Sequence, residues 1–210
     1  MKREEKNAMS RRKIMEAALQ EFAVRGCDAA SLNTICAENE ISKGNVYHYF
    51  KDKDELYLLC VAECFDRLTD YMEDAVRELK GPVEERLSGY FDARLRFFVE
   101  NPLCLGLFLQ ATLNTPARLT SEVSASRARF AALNVAVLTG FLRDAKLRTG
   151  ITLPQAVESF RMYMDYFNLY FKQALERDGD EAEILRRHEE MCRRQLSIFL
   201  YGVIDGDHAE

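Results

Sequence analysis

The segment Ser42–Tyr49, SKGNVYHY, dictates most about how this chain folds, because it reads as a helix that cannot stand alone. A helix this short, with so few apolar groups, is unstable in water and has to be held by neighbours. Only Val46 and the following Phe50 can pack; Lys43, Asn45, Tyr47, His48 and Tyr49 are left facing outward. A second short amphipathic helix precedes it, opened by Ser31 and carrying Leu32, Ile35 and Cys36 as far as Glu38. The tight link 38–41 between the two makes a helix-turn-helix with a polar-aromatic second helix.

The rest of the chain is punctuated in the same way. Ser10 precedes an amphipathic stretch with Ile14, Ala17, Ala18 and Phe22 on one face, and Gly26 closes it, since glycine accepts the left-handed backbone of a helix end. Asp52 with Glu55 has capping-box spacing and starts a long helix whose apolar face runs Leu56, Cys60, Cys64, Leu68, Ala75 and Leu79. Pro82, Pro102 and Pro116 each restart the chain, with a loop near 119–124, and Thr152 with Gln155 forms another capping box. Asp180 with Glu183 opens a last helix that Gly202 closes. The expectation is an all-α fold of about nine helices without a strand. It divides into a basic flexible tail at 1–9, a three-helix helix-turn-helix DNA-binding domain at 10–56, and a helical bundle at 57–205.

Charge gives DNA binding no help on average. The net charge is −5, and residues 1–56 hold ten Lys and Arg against ten Asp and Glu. Phosphate contact needs charge in the right place, and Lys2, Arg3, Lys6, Arg11, Arg12 and Lys13 crowd one end of this segment while Lys43, Lys51 and Lys53 crowd another. Gly44 lets a backbone approach the duplex, Lys43 can reach a base edge or a phosphate, and the tyrosines and His48 can donate to phosphates or pack on thymine methyls.

Here the pattern S-x-x-x-I followed by I-S-K-G-N-V-Y-H-Y-F-K-D-K-D-E-L resembles the TetR family of bacterial transcription regulators, in order over Ser10–Leu59, and the closing Phe199–Gly202 agrees as well. The resemblance implies a homodimer on a palindromic operator of double-stranded DNA, and usually repression relieved by a small molecule; because no apolar run follows the charged start at 1–13, the expected location is the cytoplasm. By position it implies that Thr34, Lys43, Gly44, Tyr47, His48 and Tyr49 contact DNA and that Lys53 clamps a phosphate. The chain departs from the family where the usual Ala-Gly of the turn is Asn39-Glu40; Asn39 takes a left-handed conformation more readily than Glu40 does.

The resemblance also implies a ligand pocket in the bundle, for a small apolar or aromatic effector. Phe98, Cys104, Phe108, Met162, Tyr163 and Tyr166 are candidates to line it. Asp165 is set aside, because Glu158, Arg161, Asp165, Asn168, Lys172 and Glu176 recur every three or four residues as a solvated stripe. The apolar surface of the last two helices exceeds what one chain needs inside and fits a homodimer interface. The six cysteines are scattered without a C-x-x-C pair, which makes them buried thiols rather than disulfides, although Cys60 and Cys64 lie one turn apart. The alternative is a regulator that senses oxidation through Cys60, Cys64 and Cys104 without an organic ligand. No catalytic constellation, metal-ligand spacing, cofactor motif or membrane-length apolar run is present in the sequence, so neither an enzyme nor a membrane protein is expected.

Overall fold

The computed structural model describes residues 3–178 and 181–204, and these are helical almost throughout. The helices are α1 (Arg3–Ala29), α2 (Leu32–Glu38), α3 (Lys43–Tyr49), α4 (Lys53–Glu78), α5 (Val83–Glu100), α6 (Pro102–Leu113), α7 (Thr120–Arg143), α8 (Leu153–Asp178) and α9 (Glu181–Val203), with a short 3₁₀ turn at Ala117–Leu119. Among the described residues the one β-type contact is an isolated antiparallel bridge between Leu147 and Ile204. There Arg148 donates from its side chain to the carbonyls of Ile204 and Tyr201 at 3.1 and 3.0 Å and satisfies the end of α9.

The helix starts are made by the side chains the sequence offers. Ser31 accepts from the amides of Asn33 and Thr34, and Ser42 from that of Asn45. The Glu55 amide donates to Asp52 at 2.8 Å while the Glu55 carboxylate accepts from the Lys51 amide at 2.5 Å. Thr152 and Gln155 exchange backbone–side-chain bonds at 3.0 and 3.4 Å, a complete capping box.

Three boundaries differ from the sequence reading. Residues 3–9, expected as a flexible tail, continue α1 towards the N-terminus, with Glu4 and Glu5 in the first turn where the helix dipole favours anions. Gly26 does take positive φ, at 69°, but the chain kinks there and resumes helix to Ala29. The expected loop at 119–124 is also shorter, since α7 begins at Thr120.

The chain divides into two compact units, residues 1–67 with 100–128, and residues 68–99 with 129–210. The boundary between these units falls inside α4, and α6 belongs to the first unit. That unit is built around Ile14, Ala18, Phe22, Ile35, Val46, Phe50, Leu56 and Tyr57, each essentially inaccessible. Phe22 and Tyr57 meet edge to face at 5.2 Å. Within it, Gly106 of α6 lies against the backbone of Ala23 so closely that an added Cβ would sit 2.7 Å from the Ala23 carbonyl oxygen. In the second unit Phe91, Phe97, Phe98, Phe141, Phe160, Phe167, Cys192 and Leu196 are buried.

All six cysteines are free and buried, as a reading of them as small core residues requires. No described helix is long and apolar enough to cross a membrane.

Candidate nucleic-acid interface

The helix α3 is held from behind and open in front. Val46 and Phe50 are each 1% exposed, whereas Tyr47 is 58% exposed. Lys43, Gly44 and His48 are also exposed, and Asn45, Tyr49 and Thr34 are partly covered. Position alternation around 3.6 residues per turn explains this: Val46 and the C-capping Phe50 fall on the inner face, and Lys43, Gly44, Tyr47 and His48 fall outside. A Cβ added at Gly44 would meet nothing within 4 Å, so the space over that backbone belongs to whatever docks there.

Tyr49 is tied inward. Its hydroxyl hydrogen-bonds Asn7 Oδ1 at 3.2 Å, and its ring stands edge-on to His48 at 4.8 Å. Asn7 lies in the helical N-terminal extension of α1, so that extension braces the reading helix directly. Arg11 of the same helix lies over the Phe50 ring at 5.4 Å.

Lys53 is placed otherwise than a free phosphate clamp would be. Its Nζ donates to the carbonyls of Asp28 and Ala30 at 3.0 and 2.9 Å, capping the C-terminal end of α1. An ammonium has three protons, so one remains for an outside acceptor. Lys53 is thus first a strut between α1 and α4.

The turn between α2 and α3 resolves the departure seen at Asn39-Glu40. Asn39 keeps φ at −115° and donates from Nδ2 to the Ile35 carbonyl at 3.1 Å, capping α2. Glu40 is the residue that takes the left-handed backbone, at φ 54°. The assignment of the two is therefore the reverse of what conformational preference suggested, because Asn39 is more useful as a cap and the register of α3 demands left-handed backbone one residue later.

One residue that sequence reading passed over matters for this framework. Arg118, in the 3₁₀ turn after α6, binds Asp54 through two bonds of 2.8 Å and Asp28 at 2.6 Å. It fastens the end of α1 to the start of α4. The Arg118 hydrogen bonds, helped by its charge, hold the Asp54 carboxyl below its ordinary range against the opposing effect of burial. No local pattern announces such a contact, since its partners lie 64 and 90 positions away.

The candidate ligand-lining residues are distributed over both units. Cys104 and Phe108 belong to the first unit and are buried there. Phe98 is buried in the second. Met162 and Tyr166 are 65% and 68% exposed. Tyr163 packs against Phe167 at 5.8 Å, and its hydroxyl is buried without a hydrogen-bond partner. A small cavity of about 30 Å³ does lie within the second unit, among Tyr90, Arg94, Asn134, Phe141, Phe160 and Leu196, and it includes none of the six. Tyr90 donates to Asn134 at its edge. Glu158, Arg161 and Asp165 are exposed, in line with a solvated stripe, while the side chains of Asn168, Lys172 and Glu176 lie outside the described residues.

Comparison with known proteins matches residues 14–60 to the family described as bacterial regulatory proteins, tetR family. The chain is 25% identical over 114 residues to the biofilm operon icaADBC HTH-type negative transcriptional regulator IcaR of Staphylococcus epidermidis, covering 53% of this chain and 57% of that one. It is 36% identical over 70 residues to the HTH-type transcriptional regulator PksA of Bacillus subtilis, 33% of this chain and 34% of that one. The matches therefore span about half and about a third of these relatives' lengths. Among solved structures, the transcriptional regulator FadR of Bacillus subtilis, in complex with stearoyl-CoA, superposes with a TM-score of 0.61 at 15% identity over 86% of this chain and 96% of that one. That likeness carries the fold.

Proposed function

We propose that this chain, whose residues 14–60 match the tetR family of bacterial regulatory proteins, is a dimeric transcription regulator of that family, a repressor released from its operator by a small molecule. The observation that carries the DNA-binding reading is the exposure of Lys43, Gly44, Tyr47 and His48 on a helix whose other face is anchored by Val46 and Phe50. A recognition helix presents such a surface to the major groove.

Two such helices reach a palindromic site only in a dimer. Support for dimerisation through the last two helices is the apolar surface left uncovered: Met162, Tyr166 and Leu169 on α8, and Ile198 and Tyr201 on α9, are each half exposed or more. Such a surface on one chain is costly unless a partner covers it. This is a better use for Met162 and Tyr166 than a pocket.

For the effector, we propose the cavity among Tyr90, Asn134, Phe141 and Phe160. At about 30 Å³ it holds little more than a water, so an organic ligand enters by spreading α5, α7, α8 and α9. A ligand that favours the spread arrangement shifts the population towards it. Because α4 is one continuous helix running from the first unit into the second, such a shift has a covalent route to the reading head.

The test is selection of duplexes from a random pool by the purified chain. The enriched sequence is expected to be an inverted repeat. Lys43→Ala and Tyr47→Ala are each expected to lose roughly tenfold or more in affinity, about the worth of one specific contact, with far-UV circular dichroism unchanged. No enrichment, or enrichment indifferent to both substitutions, overturns the reading.

A further inference from the structure

The fold brings together two cysteines that the sequence keeps forty residues apart. The Cys64 thiol of α4 donates to the carbonyl oxygen of Cys104 in α6 at 3.2 Å. It also lies within hydrogen-bond reach of the Cys104 sulfur. Beside them opens a cleft of about 50 Å³, lined from α1 by Arg12 and Glu16 and from α4 by Cys60, Glu63 and Arg67.

Cys104 stands in the first turn of α6, two residues after the N1 proline and three after the N-cap Asn101. The unpaired amides of a helix start favour an anion there. Arg67 adds a positive charge and is pinned to that end of the helix, donating to Asn101 Oδ1 at 2.5 Å. The Cys64 hydrogen bond is the main influence that holds the Cys104 thiol below the ordinary thiol range, with Arg67 assisting and burial and Glu63 opposing. The same bond raises Cys64. Cys60, one turn away, is pushed up to about 12 by burial, and Cys27 to about 12 by burial with Asp54 nearby. Among these thiols the fold sets Cys104, in the first turn of a helix whose N-cap Arg67 binds, against Cys64 from the facing helix, the arrangement of an attacking and a resolving cysteine.

We infer that Cys104 and Cys64 form a peroxide-reactive pair that closes to a disulfide between α6 and α4. The Cys104 thiolate attacks one oxygen of hydrogen peroxide, the O–O bond breaks, and hydroxide leaves to be protonated to water, giving a sulfenic acid. The Cys64 sulfur then attacks the Cys104 sulfur; an S–S bond forms, the S–O bond breaks, and the Cys64 proton leaves with the hydroxyl as a second water. Two thiols are oxidised by two electrons and the peroxide is reduced to two waters. The cleft has room for a peroxide molecule but not for a bulky oxidant.

The disulfide would have a mechanical effect. It shortens a sulfur contact to ~2.05 Å and so draws α6 towards α4. Gly106, half a turn from Cys104, has no free space against Ala23 of α1, so α1 shifts with it. Resting on the DNA-binding reading above, oxidation then weakens operator binding.

The chemistry is tested without DNA. The full-length reduced chain is treated with hydrogen peroxide, free thiols are alkylated, and peptides are mapped by mass spectrometry. The expected product is a Cys64–Cys104 crosslink, with Cys27, Cys36, Cys60 and Cys192 still alkylated. In Cys64→Ser the reaction should stop at a Cys104 sulfenic acid that dimedone traps, and in Cys104→Ser peroxide consumption should fall by about tenfold or more. Persistence of both thiols in the wild-type chain, or crosslinking of another pair, overturns the inference and leaves the DNA-binding proposal untouched. Should the crosslink form while the reduced chain selects no duplex, the thiol chemistry holds and the DNA-binding proposal falls.

Discussion

Glu40 gives the sharpest test of the helix-turn-helix, because one residue carries both backbone strain and an unfavourable charge. Its φ of 54° lies where an L-residue is held only by its surroundings. Left-handed backbone costs a residue with a Cβ roughly 1–2 kcal/mol. Glycine escapes that cost but loses more freedom on folding, by roughly 0.5–1 kcal/mol. The difference makes Glu40→Gly more stable by about 0.5–1 kcal/mol, which in a chain of 210 residues is about 1–4 °C in Tm. Glu40→Ala keeps the Cβ and so is not expected to gain. Both substitutions remove a negative charge beside the reading helix. A charge roughly 10 Å from a phosphate is worth about 0.4 kcal/mol in water, about twofold in affinity, and less as salt rises. Thermal unfolding by circular dichroism and duplex binding by fluorescence anisotropy read the two effects apart. Glycine alone should raise Tm, and glycine and alanine should both tighten binding at low salt. A Tm for Glu40→Gly at or below that of Glu40→Ala would refute the backbone argument, and unchanged affinity in both would place Glu40 away from the duplex.

Three further outcomes follow from other contacts. Gly106→Ala drives a methyl into the Ala23 carbonyl and is expected to cost about 1–3 kcal/mol in urea unfolding, whereas Gly44→Ala, in open space, keeps stability and loses DNA affinity. Asp54, held low chiefly by the Arg118 hydrogen bonds, contributes stability that is fully present above the ordinary aspartate pKa of about 4 and is lost as pH falls through its depressed folded value; urea midpoints measured down the acid limb should fall less steeply in Asp54→Asn. Tyr166→Asp, at an exposed position, should leave helicity intact and shift the chain from dimer to monomer in sedimentation velocity; an unchanged dimer would remove α8 from the interface.

The helices were legible where the deciding bond is short-range. Ser31, Ser42, Asp52 and Thr152 each accept from an amide two or three positions on, so composition at the cap is enough to place the start. Residues 3–9 failed that test because nothing at Ser10 forbids the helix from running back: good helix formers lie on both sides of it. Arg118 was invisible for a related reason. Its role exists only once three separate elements have docked, and its own neighbours in sequence do not hint at aspartates 64 and 90 positions away.

The helix α3 and the bundle differ in the same way, and the difference explains why the exposed face of one could be picked out from the sequence and that of the other could not. The surface of α3 is contiguous: Lys43, Gly44, Tyr47 and His48 share one face by spacing alone, and the inward pull of Val46 and Phe50 fixes which face that is. The helix α8 has apolar residues on two faces. Ala156, Phe160 and Phe167 are buried, while Met162, Tyr166 and Leu169 are exposed, and at 100° per residue each set is a sound helical stripe, the two centred about 130° apart around the axis. Periodicity identifies both stripes equally and says nothing about which one meets the core and which is left for a second chain. In the fold Phe160 is the residue buried beside the cavity, and Met162 and Tyr166 are the ones left exposed. Under the proposed function a bundle that encloses a ligand and also dimerises needs two apolar faces on one helix, so the ambiguity would arise from the two uses themselves, and a single sequence cannot remove it.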